Sequence, residues 1–232
     1  MSTELTFYHS GFERCVRDAL KIYDRAITDE DTLRVLELDC TNFDFDLRDY
    51  PVLMRFKKLR KLVMDLHIDE LRFLADLESL EELSLEIYGV KRSIDFSFFS
   101  RFINLKYLYV SGGIWSDKDF INLEGLSVLR NLTELCLQDI GGVDLSPLRN
   151  MPQLKTFWFG WANEVRGIDA IGSITDLETL DITRISVENL DFLDNLSDDL
   201  RVSLCSLKVE QGIDRSKLSR FKNGDFDDIG EF

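Results

Sequence analysis

The stretch Leu132-Thr-Glu-Leu-Cys-Leu-Gln138 decides the fold of this chain of 232 residues. It carries leucine at its first, fourth and sixth positions, and the same spacing of apolar residues returns along most of the sequence. The clear copies are Leu33/Leu36/Leu38, Leu59/Leu62/Met64, Leu80/Leu83/Leu85, Leu105/Leu108/Val110, Leu132/Leu135/Leu137, Leu154/Phe157/Phe159 and Leu177/Leu180/Ile182. We expect an eighth, degenerate copy to start at Leu200.

The first residues of successive copies lie 26, 21, 25, 27, 22, 23 and 23 residues apart. Leucine-rich repeats have a period of roughly 20 to 29 residues, and many copies in register exceed what chance would produce. The pattern therefore predicts an α/β leucine-rich repeat solenoid. In this fold class a curved parallel sheet forms the concave side, and mixed short helices and turns form the convex side.

Apolar spacing also indicates what the returns between strands contain. Ile68, Leu71, Leu74 and Leu77 have helical spacing, as do Phe120, Leu123, Leu126 and Leu129. We therefore predict helices in these longer returns. Ser146-Pro147 predicts a short helical turn over Pro147 to Met151, with the serine as N-cap.

A solenoid needs a cap at each end, because its terminal repeats would otherwise expose their core. Residues 1–31 are predicted to form a helical N-terminal cap, since Ser10-Gly-Phe-Glu13 has the capping-box pattern. The apolar face expected on that helix is Phe12, Cys15, Val16, Ala19, Leu20 and Tyr23. Residues 32–210 are predicted to hold about eight repeats, and residues 211–232 a C-terminal cap with a solvated acidic tail of Asp225, Asp227, Asp228 and Glu231.

Three segments resemble bacterial internalin-like leucine-rich repeat proteins: Phe12-Glu-Arg-Cys-Val-Arg-Asp-Ala-Leu20, Ala26-Ile-Thr-Asp-Glu-Asp31 before the first repeat, and Asp144-Leu-Ser-Pro-Leu148. The resemblance covers roughly residues 12 to 210 on repeat register. It implies a protein-recognition module that holds its partner on the concave face and has no catalytic residues.

This chain departs from the internalin-like pattern in three ways. We see no export signal and no cell-wall anchoring segment. The usual asparagine at the ninth repeat position is replaced by Thr41, His67, Tyr88, Gly113, Ile140, Ala162 and Ile185. Without an asparagine ladder to satisfy backbone groups, we expect irregular turns after the strands.

Charge and composition limit the classes of partner. The chain has 28 Lys and Arg against 43 Asp and Glu, so its formal charge is −15, which repels nucleic acids and anionic membranes. No apolar run reaches the length of roughly 18 residues that a membrane helix needs. The four cysteines have no metal-binding spacing. Together these features predict a cytoplasmic monomer without a membrane span, although secretion stays open if a signal is non-classical or removed.

Strand alternation points to a binding face. Residues at the third, fifth and seventh positions of each copy should lie on the concave side. The candidates are Glu37, Asp39, Asp65, Glu82, Glu86, Tyr107, Tyr109, Glu134, Trp158 and Asp181, and the same rule places Val35 there. Carboxylates around aromatic anchors suit a basic or mixed-charge protein. The alternative is that aromatic residues favour strands and acids keep the sheet soluble.

Catalytic and metal sites find little support. The two histidines, His9 and His67, belong to different segments and have no nucleophile motif beside them. The run Asn42 to Asp49 resembles a calcium loop but lacks its glycine and glutamate. We therefore predict no cofactor, no metal and no enzyme activity.

The sequence leaves three functions open. The first is a non-catalytic protein-binding module, in its sharper form a cytoplasmic inhibitor or immunity protein. The second is a secreted effector or surface-associated protein of internalin-like type. The third is an enzyme subunit with an unrecognised site.

Overall fold

The computed structural model describes residues 3–41, 45–67, 74, 76–88, 96–114 and 120–231. The α-helices in these ranges are α1 (Ser10–Leu20), α2 (Asp29–Thr32), α3 (Tyr50–Leu53) and α4 (Arg215–Ser219). The strands are β1 (Glu37–Cys40), β2 (Lys61–His67), β3 (Glu82–Tyr88), β4 (Tyr107–Ile114), β5 (Phe120–Asn122), β6 (Glu134–Ile140), β7 (Gly142–Asp144), β8 (Thr156–Gly160), β9 (Glu164–Arg166), β10 (Thr179–Thr183), β11 (Ser186–Val187), β12 (Arg201–Cys205), β13 (Lys208–Val209), β14 (Asn223–Asp227) and β15 (Gly230–Glu231). The 3-10 helices are Leu47–Asp49, Phe96–Arg101, Glu124–Leu126, Ser146–Asn150, Ile168–Ser173 and Asp191–Leu193.

One large parallel sheet joins the described repeats in the order β1-β2-β3-β4-β6-β8-β10-β12-β14. Two small parallel sheets, β5-β7-β9 and β11-β13-β15, follow the turns of the later repeats. Each strand of the large sheet pairs with the strand of the next repeat, as expected when repeats contact only their neighbours. The predicted leucine-rich repeat solenoid is confirmed.

The core lies behind the large sheet because alternate side chains of each strand point to the same face. In β6, Leu135 and Leu137 are 1% and 0% exposed. Leu135 lies in register between Leu108 on β4 and Phe157 on β8, and both of these are fully buried. The fourth and sixth positions of the repeat therefore build the core, as the pattern predicts.

The first repeat starts two residues later than the leucine pattern predicts. In the pairing of β1 with β2, Leu38 lies opposite Leu62 and Cys40 lies opposite Met64. Leu62 and Met64 hold the fourth and sixth positions of their repeat, so Leu38 and Cys40 hold the same positions in the first. Both residues are buried.

This shift changes which side chains of the first repeat are buried. Val35 is 3% exposed, whereas Leu33 and Leu36 are 45% and 46% exposed. Leu36 occupies the second position, where its carbonyl oxygen accepts the backbone N–H groups of Arg60 and Lys61. The predictions that Leu36 is a core residue and that Val35 lies on the concave face are wrong. Leu33, Leu36 and Leu38 therefore match the leucine spacing although they are two residues out of register.

The C-terminal end extends the sheet by two strands. The expected eighth copy is present as β12, and Leu200, directly before this strand, is buried. Val202 and Leu204 lie opposite the core residues Leu180 and Ile182, so the core positions come one residue earlier than a start at Leu200 predicts. Strand β14 pairs in parallel with β12, and Phe226 lies opposite Leu204. Asp225 and Asp227, two of the acids expected in a tail, are therefore part of a strand.

The described turns from the fourth repeat onward share one backbone conformation. The eighth position adopts a left-handed backbone in Gly112, Asp139, Trp161, Arg184, Ser206 and Asp228. In Trp161, Arg184 and Ser206 the N–H of this residue donates to the seventh-position carbonyl of the next repeat at 2.9 Å. In the later repeats the ninth position holds a buried apolar side chain, such as Ile140 or Ile185. The turns after β8, β10 and β12 are therefore regular, contrary to our expectation, because this backbone ladder satisfies the groups that an asparagine ladder would satisfy. The pairing of β4 with β6 is irregular between Ser111 and Ile114, and the turns after β1 to β4 lie largely outside the described residues.

Helix α1 begins differently from the prediction. His9 is its N-cap, and the His9 Nδ1 accepts the backbone N–H of Gly11 at 3.2 Å, so the predicted capping box at Ser10 is wrong. The fully buried Asp49 carboxylate accepts the backbone N–H groups of Tyr8 and His9 at 2.7 and 2.8 Å. These bonds hold the start of the helix against the first return.

The apolar face of α1 packs against β1. Its buried residues are Phe12, Cys15, Val16 and Leu20. Ala19 and Tyr23, which we predicted for this face, are exposed. The helix ends at Leu20 and Lys21 is left-handed, so the chain leaves the helical path before it reaches Tyr23.

Short elements replace the predicted helices of the returns. The segment from Phe120 to Leu129 forms β5 and a three-residue 3-10 turn, so the helix predicted there is wrong. The apolar spacing instead reflects Leu123, Leu126 and Leu129, which are all buried. The helical turn predicted near Pro147 is present as the 3-10 helix Ser146–Asn150, but its N-cap is Leu145, so the N-cap predicted at Ser146 is wrong. Most of the helix predicted from Ile68 lies outside the described residues.

Candidate binding site on the concave face

Three rows of side chains cover the concave face of the large sheet, one from each outward-facing repeat position. The third-position row is Glu37, Lys61, Glu82, Tyr107, Glu134, Thr156, Thr179, Arg201 and Asn223. The fifth-position row is Asp39, Val63, Ser84, Tyr109, Cys136, Trp158, Asp181, Ser203 and Asp225. The seventh-position row is Asp65, Glu86, Ser111, Gln138, Gly160, Thr183, Cys205 and Asp227.

All ten predicted site residues lie in these rows. Within the described strands the rows carry nine carboxylates, namely Glu37, Asp39, Asp65, Glu82, Glu86, Glu134, Asp181, Asp225 and Asp227, and two basic groups, Lys61 and Arg201. Lys61 already pairs with Glu82 at 3.0 Å. The carboxylates concentrate on β1 to β3, and β14 adds two at the opposite end. The concave face is therefore acidic at both ends.

Aromatic side chains occupy the middle of the face. Tyr107 and Tyr109 on β4 are half-buried. Burial raises the pKa of both tyrosines, which keeps them neutral and able to donate. Trp158 on β8 is 38% exposed. The centre thus presents flat apolar surface with polar edges.

Cys136 lies between these aromatic residues in the sheet. It lies in register between Tyr109 and Trp158, yet it is only 1% exposed although its position faces outward. Neighbouring strands are about 4.8 Å apart, so the bulky side chains on both sides cover a small residue between them. Burial, with a smaller contribution from Asp181, raises the pKa of the Cys136 thiol to about 12. This thiol fills space beneath the aromatic surface and is unsuited to act as a nucleophile.

Trp161 is a surface residue in the turn directly after β8. It is 53% exposed, more than Trp158, and its backbone is left-handed with φ of 59°. A bulky residue rarely adopts this conformation, which costs about 1 to 2 kcal/mol relative to the right-handed form. The Arg184 guanidinium lies 5.1 Å from the Trp161 ring centroid. In the sequence, Trp161 directly follows the strand β8, and this position was the signal that could have placed it at the rim of the face.

A cavity of about 410 Å³ lies at the N-terminal end of the face, between α1 and the first two strands. Its wall consists of Cys15, Asp18, Ala19, Glu37, Leu38, Asp39, Lys61 and Val63. The exposed side of α1 therefore forms part of the concave surface. Asp39 is held in place by Thr41, whose backbone N–H and hydroxyl donate to Asp39 Oδ1 at 3.0 and 2.5 Å.

The acids of the suspected calcium loop have structural roles where the structure describes them. Asp46 pairs with Arg48 at 2.6 Å, which lowers the pKa of Asp46 to about 2. Asp49 accepts the backbone N–H groups before α1. Asn42 and Asp44 lie outside the described residues. Across the part of the chain that is described, no three His, Cys, Asp or Glu side chains are grouped to hold a metal.

A second cavity, of about 630 Å³, lies where the two small sheets meet between β9 and β11. Three of its lining carboxylates belong to ion pairs, Glu164 with Arg166, Asp169 with Arg149 and Asp191 with Lys217. It has no His or Cys in its lining.

No described helix has both the length and the apolar content that crossing a bilayer requires.

Sequence comparison matches this chain to no protein-family model and to no curated protein. Structural comparison matches internalin C2 of Listeria monocytogenes over 97% of this chain and 94% of the internalin, with a TM-score of 0.55 and 16% identity. The fold is that of leucine-rich repeat proteins.

Two longer leucine-rich repeat proteins also match. TLR13, in a complex with single-stranded RNA, matches 88% of this chain and 34% of its own, with a TM-score of 0.60 and 15% identity. The Arabidopsis receptor kinase HAESA, in a complex with a peptide hormone and a co-receptor, matches 85% and 35%, with a TM-score of 0.53 and 17% identity. At these identities the similarity establishes the fold alone.

Proposed function

We propose that this chain is a non-catalytic module whose concave face binds a protein. The main support is Trp158, a large aromatic side chain left 38% exposed at mid-sheet, two strands away from Tyr109 with Cys136 between them. Binding hot spots are enriched in Trp and Tyr near the centre of a contact surface. The HAESA complex offers a precedent in the same fold, since that receptor is seen with a peptide hormone.

The partner we propose carries a basic or mixed-charge surface. Nine carboxylates against two basic groups in the three rows attract cations and speed encounter with a positively charged protein. The TLR13 complex raises single-stranded RNA as another ligand of this fold. The same carboxylates and a net charge of −15 oppose a phosphate backbone, which favours the protein.

The first experiment is affinity capture from the native lysate with three forms of the chain. These are the wild type, Tyr109→Ala/Trp158→Ala, and a control, Ile103→Ala/Val128→Ala, which removes exposed apolar side chains from the returns. We expect the wild type and the control to retain one basic protein that the aromatic variant loses. Equal capture by all three forms would refute binding through the aromatic centre.

Binding constants for the captured protein then test the chemistry. Loss of both anchors should weaken affinity by roughly 30-fold or more, the effect of a hot spot of about 2 kcal/mol. Association should slow as salt rises from about 0.05 M to about 0.5 M, because screening shortens the reach of the carboxylates. An association rate that does not depend on salt would contradict only the proposed role of the carboxylates. It would not affect the proposed role of the aromatic anchors.

The sharper form of the proposal is a cytoplasmic inhibitor or immunity protein that covers a basic enzyme. Purified chain should then abolish the activity of the captured enzyme at stoichiometric amounts. A captured envelope protein would instead favour a secreted, internalin-like role. Activity that appears only when the two chains combine would favour an enzyme subunit.

A further inference from the structure

Two cysteines lie side by side at the junction of the N-terminal helix and the sheet. Cys15 is on α1 and Cys40 is on β1, and their Sγ atoms are 2.7 Å apart. A covalent S–S bond is about 2.0 Å long, so bonding requires only a small approach of the two sulfur atoms. Both residues are buried, at 4% and 2% exposed. The thiols are free, and they join elements that are 25 residues apart in the sequence.

Hydrogen bonding and access give the two thiols different roles. The Cys15 thiol donates to the Asp39 carbonyl oxygen at 3.1 Å, which leaves the Cys40 thiol to donate to Cys15 Sγ. This bond, together with burial, raises the pKa of Cys40. Cys15 belongs to the wall of the cavity beneath α1, whereas Cys40 does not. A small oxidant that enters the cavity therefore meets Cys15 first.

We propose that Cys15 and Cys40 form an oxidation site whose disulfide fixes α1 to the first strand and thereby fixes one wall of the concave cavity. The oxidant is a peroxide. The Cys15 thiolate attacks one oxygen of hydrogen peroxide, the O–O bond breaks, and Cys15 becomes a sulfenic acid as hydroxide leaves and takes a proton to form water. Cys40 then attacks the Cys15 sulfur, its thiol proton leaves with the hydroxyl group as a second water, and the S–S bond forms.

A disulfide between Cys15 and Cys40 stabilises the N-terminal end because of where it lies in the solenoid. Terminal repeats of a solenoid have a neighbour on one side only, so the ends open most easily. A disulfide between residues 15 and 40 closes a loop that includes the rest of α1, all of α2 and the first strand up to Cys40. It limits the freedom of the unfolded loop and holds Asp18 and Ala19 beside Glu37. This site is independent of whether the concave face binds a protein.

Peptide mapping tests the bond directly. The full chain is treated with hydrogen peroxide, quenched, alkylated under denaturing conditions and digested with trypsin without reduction. We expect the tryptic peptide of residues 15–17 to be linked to that of residues 35–48, and Cys136 and Cys205 to be alkylated as free thiols. These two thiols are internal controls, because they lie on β6 and β12, which two strands of the sheet separate. Four alkylated thiols, a different linkage, or sulfinic acid at Cys15 would overturn the proposal.

Thermal unfolding tests the consequence. The oxidised chain should melt roughly 5 to 10 °C higher than the same sample after reduction with dithiothreitol. Cys15→Ser should show no peroxide-dependent shift and should keep Cys40 as a thiol. If that variant does not fold, the reduced wild type remains the reference. A linked chain that melts at the same temperature as the reduced chain would refute the fixing of α1.

Discussion

Leu36 and Leu38 lie two residues apart in the first repeat and offer a matched test of its register. The leucine pattern makes both of them core residues. In the structure Leu38 is 1% exposed, whereas Leu36 is 46% exposed at the second position. Replacing each by alanine removes the same atoms, so the difference in the free energy of unfolding reports their environments.

The expected magnitudes follow from burial. Leu38→Ala empties a closed site and should cost about 2 to 5 kcal/mol. Leu36 has roughly half of its side chain in contact with the protein, and full burial of a leucine contributes about 1.5 to 3 kcal/mol. Leu36→Ala should therefore cost about 1 kcal/mol. The two midpoints should differ by roughly 5 to 10 °C for a chain of this length.

Urea unfolding followed by circular dichroism gives both free energies, and thermal melts give the midpoints. Equal losses from the two variants would refute the register derived from the pairing of β1 with β2, as would a greater loss from Leu36→Ala. The outcome matters for the site, because the register decides that Glu37 and Asp39 are the first outward-facing residues of the sheet.

Three further predictions concern the caps, the core and the turns. Asp31→Asn should lower the free energy of unfolding by about 1 to 3 kcal/mol at pH 7, because it breaks hydrogen bonds to a buried carboxylate. The Arg25 guanidinium holds the pKa of Asp31 well below its usual range. This stabilisation is present above pH ~4 and is lost as the pH falls further. The difference in the free energy of unfolding between wild type and Asp31→Asn should therefore shrink from pH 7 to pH 2. A difference that does not change with pH would contradict this role of the Asp31 carboxylate. Leu135→Ala should cost about 2 to 5 kcal/mol in urea unfolding, because neighbouring strands hold both sides of the site, and a loss below about 1 kcal/mol would contradict that packing. Gly112→Ala should cost about 3 kcal/mol or more in the same assay, since φ is +123° and a Cβ would lie 2.2 Å from the Ile87 carbonyl oxygen. Its control is Asp139→Gly at the same turn position, which should change stability by less than about 1 kcal/mol; similar effects from both would refute the steric explanation.

The candidate site shows how far alternation alone can reach. Strand periodicity placed all ten predicted residues in the outward-facing rows, because side chains on a strand alternate between two faces. It could not show that Cys136 is covered or that Tyr107 is half-buried, since cover comes from neighbouring strands that are more than 20 residues away in the sequence. It also could not show that the eighth-position turn exposes Trp161.

Local periodicity determined the fold class, the strands from the second repeat to the seventh, and the acidic character of the face. These properties depend on residue type and short-range spacing, which the sequence displays directly. Tertiary structure decided the register of the first repeat, the ninth strand, the ladder of left-handed turns and the approach of Cys15 to Cys40. Each of these depends on pairing between segments that are distant in the chain, and a leucine that meets the pattern does not reveal whether its neighbours in space will cover it.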